Sequence, residues 1–318
     1  MSFQGSSSPI RSHEDRYASH SNTRDDDDND EIESRHSGQN TDFSEAAYFV
    51  EAERTYNNAS WRQDRLHYIL LGILPGLYRG PVEQILKNDR SRRKRILDIG
   101  CGTGLWIQEM AELFQHVDYI TPFQHDSQFR NCTFMQVNAP SGLRTFGNGS
   151  FDVVHIRQMV HATNDYPSII REAHRLLRPG GILLVHEPQM QLHSAWEGFG
   201  PKDLAPCLAQ MISYIEAACR YRGIDTELFG RIDQVLAEAG FDPDGIDVYY
   251  HYRHACPDDP QSEVGMNEIT HAINEDEFDR LMPGVLDEVS GRSGGIAGPL
   301  GAQGLLSPWG YWWVIKGA

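Results

Sequence analysis

Apolar positions along the chain switch repeatedly between helical and strand spacing. Leu66, Ile69, Leu70, Ile73 and Leu74 fall on one helical stripe that Pro75 and Gly76 break. Ile96, Leu97 and Ile99 form the short apolar run of a strand buried on both faces, three alternate glycines follow, and a helix begins with Ile107, Met110, Ala111 and Phe114 on one side. Further strands are predicted at Val117 to Ile120, within Arg130 to Ala139, at Phe151 to Met159, Ile182 to His186, Asp247 to His254 and Tyr311 to Lys316. Between them, Pro167 opens a helix with Ile169, Ile170, Ala173, Leu176 and Leu177 on its apolar stripe, and Arg178-Pro179-Gly180-Gly181 stops it. Phe229 to Gly240 makes the last crossover helix. Strands alternating with helices specify an α/β fold with a mostly parallel sheet covered on both faces.

The alternation lapses in four places. Residues 1–42 are rich in Ser, Asp, Asn, Arg and His, carry the run Asp25 to Asp28, and hold almost no aliphatic side chains, so a disordered acidic tail is expected. The remainder, 43–318, is read as one domain. Within it, 43–94 is a helical cap, 188–222 a helical lid insertion with Trp196, Phe199, Met211, Ile212, Tyr214, Ile215 and Tyr221 at helical spacing, and 256–306 a second insertion before the last strand. That second insertion carries a helical stretch around Glu275 to Val289 and a loop from Ser290 to Gly304.

The glycine turn carries the chemistry. Gly100, Gly102 and Gly104 let a ligand approach a backbone without Cβ atoms and aim helix N-terminal amides at it, which suits a nucleotide-like cofactor. The spacing is G-x-G-x-G, whereas the dinucleotide fingerprint needs its third glycine where Leu105 stands, so a nicotinamide enzyme fails on spacing. With Asp98 in front, D-x-G-x-G-x-G resembles the first motif of the class I S-adenosylmethionine-dependent methyltransferases. L-x-P-G-G-x-L, from Leu177 to Leu183, is similar to a second signature of the same family. Trp61 to Gly72 resembles the E-x-D-R-L opening of the fungal LaeA-like methyltransferases; Arg130 to Ala139 resembles their P-N-C-x-F-x-x-x-D-A strand, and Phe151 to Arg157 their F-D-x-x-H-x-R strand. The likeness runs from about Tyr56 to Lys316.

The resemblance implies a Rossmann-like seven-stranded sheet with the last strand antiparallel and S-adenosylmethionine as cofactor. It assigns Asp98, Gly100, Cys101, Gly102, Gly104, Asn138, Ala139 and Arg157 to the cofactor site, Asn138 where the family often has an Asp facing the adenine amine. An acid should end the second strand to hold the ribose hydroxyls. Aligning Thr121-Pro122-Phe123-Gln124 on the family pattern puts Tyr119 at that place and Asp118 one residue away, on the opposite face of a regular strand. Either Asp118 reaches the ribose or another group replaces it. The implied activity is methyl transfer to an oxygen or nitrogen of a small-molecule acceptor, a fungal secondary metabolite, without a metal. The chain then has to align donor and acceptor and, for a hydroxyl, take a proton. His161, His186 and Glu187 follow the fourth and fifth strands and are the candidate catalytic residues. The rival is a regulator acting through a protein partner, which Tyr119 and the acidic tail favour.

Composition narrows the setting. A chain of 318 residues with 40% hydrophobic content can bury a sizeable core. The net charge of −17 argues against a nucleic-acid partner, and no apolar run is long enough to span a membrane. Cys101, Cys132, Cys207, Cys219 and Cys256 are an odd number, widely spaced, and are read as reduced thiols. With no secretory signal at Met1, a cytoplasmic location is expected, and the sequons at Asn58, Asn131 and Asn148 count as chance matches. The basic run Arg90, Arg92, Arg93, Lys94 and Arg95 is a nuclear address, a patch for an acidic partner or the solvated approach to the first strand.

Overall fold

The computed structural model describes residues 64–121, 131–254, 280–288 and 304–317, the single positions 65, 73, 75, 136, 282 and 286 apart. The chain divides into two compact units, Met1–Ala47 and Tyr48–Ala318, and everything that follows concerns the second. The expected tail, Trp61, the Pro122-Phe123-Gln124 stretch, the sequon at Asn58, Cys256 and most of the second insertion lie outside the described residues.

In chain order the elements are α1 (helical residues 64 and 66–72), α2 (Val82–Ile85), β1 (Lys94–Ile99), α3 (Leu105–Leu113), β2 (Val117–Thr121), β3 (Cys132–Phe134), β4 (Phe151–Arg157) and α4 (Tyr166–Leu176). They continue with β5 (Leu177–Pro188), β6 (His193–Ser194), α5 (Pro201–Leu204), α6 (Pro206–Tyr221), α7 (Ile232–Glu238), β7 (Ile246–His254), α8 (helical residues within 280–288) and β8 (Leu305–Ile315). β1 pairs in parallel with β2 and β4, β2 with β3, and β4 with β5, while β8 runs antiparallel between β5 and β7. This is the Rossmann-like sheet expected, with the two-residue β6 added against the start of β8. The chain order reverses between β1 and β4, and in open α/β sheets that reversal opens the crevice where ligands bind.

Each face of the sheet buries one core. Leu97, Ile99, Val154, Ile156, Leu183 and Val185 pack under α4 and α7, and Ile96, Val153, Ile182, Leu184 and Tyr311 pack under α2 and α3. α4 starts where the sequence said: Asp165 Oδ1 accepts the amide of Ser168, and Pro167 sits in the first turn. β5 starts five residues earlier than expected. Pro179-Gly180-Gly181 ends the helix but already lies in the sheet, because a Cβ on Gly181 would stand 2.9 Å from the Asp152 carbonyl, and just past β8 Lys316 exchanges two bonds with it, the Gly180 amide donating to the Lys316 carbonyl and the Lys316 amide to the Gly181 carbonyl. β8 likewise starts at Leu305, since Gly310 leaves room for the Trp312 indole.

α6 buries Leu208, Met211, Ile215 and Cys219 against Met190, Leu204 and Leu305, so the aromatic and Met stripe of 188–222 has a packed underside, with Tyr221 left in solvent. The first turn of α6 donates the amides of Cys207 and Leu208 to the buried Glu288 carboxylate of α8, both at 2.9 Å. The basic run is an ion-paired approach to β1. Arg92 forks onto the buried Asp152, whose carboxylate also accepts the Arg95 amide, and Arg93 meets Asp118 at 2.7 Å. No helix among the described residues is long and apolar enough to cross a membrane.

Candidate active site

β1 ends at Ile99, and the chain turns through Gly100, Gly102 and Gly104 with φ of 74°, 57° and 77°. Side chains resist that left-handed region. At Gly100 an added Cβ would also run into Met159 Sδ of the loop after β4. The turn closes with the Gly104 amide on the Cys101 carbonyl at 3.0 Å, and α3 follows with Gly104 as an N-cap that supplies no side-chain acceptor. An uncapped helix N-terminus thus faces the carboxyl edge of the sheet. Thr103 Oγ1 donates to Asp64 Oδ1 at 2.5 Å, which fastens α1 to the turn.

Next to the turn, one face of the sheet changes from apolar to polar. Along β1, β4 and β5 the partners Ile96, Val153 and Ile182 give way, toward the carboxyl ends, to Asp98, His155, Arg157 and His186. Asp98 and His155 are directly paired, and Asp98 Oδ1 lies 2.7 Å from His155 Nδ1. The carboxylate can only accept, so Nδ1 carries the proton and Nε2 presents a lone pair. The His155 ring stacks on Trp106 with centroids 3.7 Å apart, and the indole is itself anchored by Nε1 donating to the Leu77 carbonyl at 2.8 Å. Arg157 donates to His67 Nδ1 of α1 at 3.1 Å, which leaves His67 Nε2 to donate to Glu109 at 3.1 Å. His186 Nε2 and His251 Nε2 are 3.0 Å apart, so only one of the two carries a proton. Burial lowers the pKa of His67, His155, His186 and His251, the last to about 4, and the four rings are neutral at pH 7. A narrow cavity of about 10 Å³ between this row and α1 is lined by Leu70, Leu74, Trp106, His155, Arg157 and Tyr311.

Asp98, the three glycines, Cys101 and Arg157 therefore come together at one edge. Asn138 and Ala139 follow the three-residue β3; the Asn138 side chain is exposed and its backbone carbonyl accepts the Gly142 amide at 2.5 Å. The expectation for β2 is corrected. Arg95 pairs with Asp118 and Ile96 with Tyr119, so both residues sit toward the amino end of the sheet while β2 runs on to Thr121. Asp118 is spent on Arg93, and the buried Tyr119 hydroxyl donates to the Met110 carbonyl at 2.7 Å; neither faces the turn.

The catalytic candidates also separate. His186 meets His251 instead of open space. Glu187 points to the opposite face, where its fully buried carboxylate accepts the amides of Met159 and Val160 and the Tyr166 hydroxyl; it holds the loop after β4 in place. His161 lies in that loop, half-buried, and burial takes it to about 4. Sequence reasoning missed His67, Glu109, His251 and His155 as site residues. For His155 a signal existed, a histidine and an arginine replacing apolar residues on one face of an otherwise buried strand.

Residues 71–242 match the family model described as "Methyltransferase domain", over half of the chain, and the chain belongs to that family. It is 34% identical over 161 residues to the secondary metabolism regulator laeA of Coprinopsis cinerea, covering 48% of this chain and 38% of that protein. It is 29% identical over 188 residues to the methyltransferase pytC of Aspergillus terreus, covering 57% and 54%. The chain thus spans about two fifths to half the length of these curated relatives. Among solved structures it is similar to the YcgJ protein of Bacillus subtilis (TM-score 0.44, 14% identity, covering 74% of this chain and 97% of that one) and to Haemonchus contortus phosphoethanolamine N-methyltransferase 2 (TM-score 0.42, 15%, covering 74% and 51%). The cofactor that goes with the domain is S-adenosylmethionine. The turn fits it: three left-handed glycines and an uncapped helix end lie where the sheet order reverses.

Proposed function

We propose that this member of the methyltransferase domain family transfers the methyl group of S-adenosylmethionine to an oxygen or nitrogen of a small organic acceptor of the fungal secondary-metabolite kind. The observation that carries the reading is the glycine turn, left-handed at all three glycines and fastened to α1 through Thr103 and Asp64. Gly100, Gly102, Gly104 and the first amides of α3 would hold the cofactor. Bound there, it supplies a sulfonium whose methyl group is already reactive. The chain's own task is to align the acceptor and keep water out. α1 roofs the cleft with Leu70 and Leu74, and Arg157 and His67 tie that roof to the sheet; residues 188–222 are read as the lid. The relatives named as methyltransferases support methyl transfer as the reaction.

Calorimetry with S-adenosylhomocysteine tests this. The wild type binds, and Gly102→Val, which puts a β-branched side chain where φ is 57°, loses at least tenfold in affinity; unchanged affinity would remove the cofactor from the turn. The 34% identity to a protein named as a regulator favours a second reading, in which the chain works through a protein partner. Tyr119 lends that reading nothing, because it sits in the core. Methyl incorporation from labelled donor into extract metabolites under 1 kDa, as opposed to extract proteins, decides between them.

A further inference from the structure

We propose that two copies of this chain join edge to edge through β7, about a two-fold axis at Tyr250, into one continuous sheet. β7 (Ile246–His254) closes one end of the sheet, and among the described residues only β8 pairs with it. It holds no proline, glycine or lysine, and its register with β8 runs without a bulge, so it lacks the devices that most often keep an edge strand from pairing. The backbone groups it leaves open follow from β8. The Gln189 amide donates to the Pro308 carbonyl at 2.9 Å and the Lys316 amide to the Gly181 carbonyl at 2.8 Å, so the even-numbered residues of β8 turn toward β5 and the odd-numbered ones toward β7. Their partners on β7 are Asp247, Tyr249, His251 and Arg253. Ile246, Val248, Tyr250, Tyr252 and His254 therefore turn their backbone N–H and C=O groups to the open edge. Three of them also form an apolar stripe on one face, with Val248 37%, Tyr250 51% and Tyr252 58% exposed.

The order of residues along the strand selects the occupant. An antiparallel neighbour must set its own outward-turned residues against these. A second β7 does so with Tyr250 opposite Tyr250, and that register pairs the whole strand, Ile246 with His254 and Val248 with Tyr252. Between them Asp247 stands opposite Arg253, once on each side of the axis. Acid meets base twice, and the apolar stripe of one copy continues into that of the other on the same face. Centring the axis on Val248 or Tyr252 keeps the hydrogen-bonding parity, but it pairs only residues 246–250 or 250–254 and loses both charge pairs. A strand from another protein would have to bring the same reversed order of charges, whereas a second copy carries it by symmetry.

Sedimentation velocity of the full chain from about 1 to about 100 μM tests this. The wild type should pass from monomer toward dimer across that range. Asp247→Arg sets basic residues opposite each other at both places and Arg253→Asp sets acidic ones, so each variant alone should self-associate at least tenfold more weakly. Mixed in equal amounts, the two should regain a dimer of wild-type strength, because each supplies the charge that the other lacks, and that recovery also shows that both variants fold. A wild type that stays monomeric at about 100 μM overturns the proposal and leaves the edge to a strand from another protein. Self-association undiminished in either variant places the interface elsewhere and overturns it too, as does a mixture that fails to recover the dimer. None of these outcomes depends on S-adenosylhomocysteine binding, so the methyl-transfer reading stands or falls separately.

Discussion

Glu187→Gln should flatten a pH dependence that the wild-type fold carries. The Glu187 carboxylate is fully buried and accepts the amides of Met159 and Val160 at 3.0 and 3.1 Å and the Tyr166 hydroxyl at 3.1 Å. Burial disfavours the charge more than these three donors favour it, and the pKa rises from the ordinary 4.5 to about 7. Between those values the folded protein keeps a proton that the unfolded chain has released. The stabilisation is therefore complete below pH 4.5 and is lost as pH rises through 7. At about 1.4 kcal/mol per pH unit, the loss amounts to about 3 kcal/mol. Glutamine stays neutral: its carbonyl accepts one amide and its NH2 group can donate to the Tyr166 oxygen. His161 and His251, both lowered to about 4, act in the opposite direction, since their stabilisation is lost as pH falls from 6.5 toward 4. Both proteins carry these histidines, so the contribution cancels in the difference. Urea melts of wild type and variant at half-unit steps from pH 4.5 to 8.5 measure it. The wild-type advantage over Gln should shrink by about 3 kcal/mol across that range. A difference constant to within about 0.5 kcal/mol would refute the reasoning, because the amides would then be holding Glu187 ionised throughout.

Two further outcomes follow from the site. Tyr119→Phe should cost about 1 kcal/mol in urea melts through the lost bond to Met110, Asp118→Ala under about 1 kcal/mol, and neither should move S-adenosylhomocysteine affinity more than twofold in calorimetry; a tenfold loss in either would put β2 in the wrong register. Gly100→Ala forces a side chain to φ 74° against Met159 and should destabilise by at least roughly 1–2 kcal/mol, so a melting temperature equal to wild type would contradict the turn geometry.

The fold was legible wherever local pattern and tertiary need coincide. β1, the glycine turn and α3 read directly because an apolar run, conformationally permissive residues and a helical stripe follow one another without a gap. Pro179-Gly180-Gly181 reads as punctuation and does stop α4, yet only the neighbouring Asp152 carbonyl shows why Gly181 belongs to a strand. Pro308 and Gly310 look like loop residues until the Trp312 ring is placed over Gly310. The ribose acid was misplaced because a motif alignment fixes order along the chain and not depth in the sheet, which the pairing of Ile96 with Tyr119 sets. His186 and His251 meet only because each strand pairs with β8 from opposite sides, a relation between residues 65 apart that no local spacing encodes.

The two faces of the sheet show what the polar row is for. On the side of α4 and α7 the strands remain apolar from Leu97 and Val154 to Ile99, Ile156 and Val185. On the other side the same strands begin as Ile96, Val153 and Ile182 and end as Asp98, His155, Arg157 and His186. Stability alone would favour continuing the apolar pattern, since buried charged pairs seldom gain over well-packed hydrophobic residues. On this face the polar row sits at the carboxyl end, beside the reversal of strand order and beneath a roof tied down by Thr103 and Arg157, where a ligand would meet it. The same logic separates Glu187 from His155: both are buried and titratable, but Glu187 spends its oxygens on the chain, whereas His155 Nε2 has no hydrogen-bond partner among the described residues.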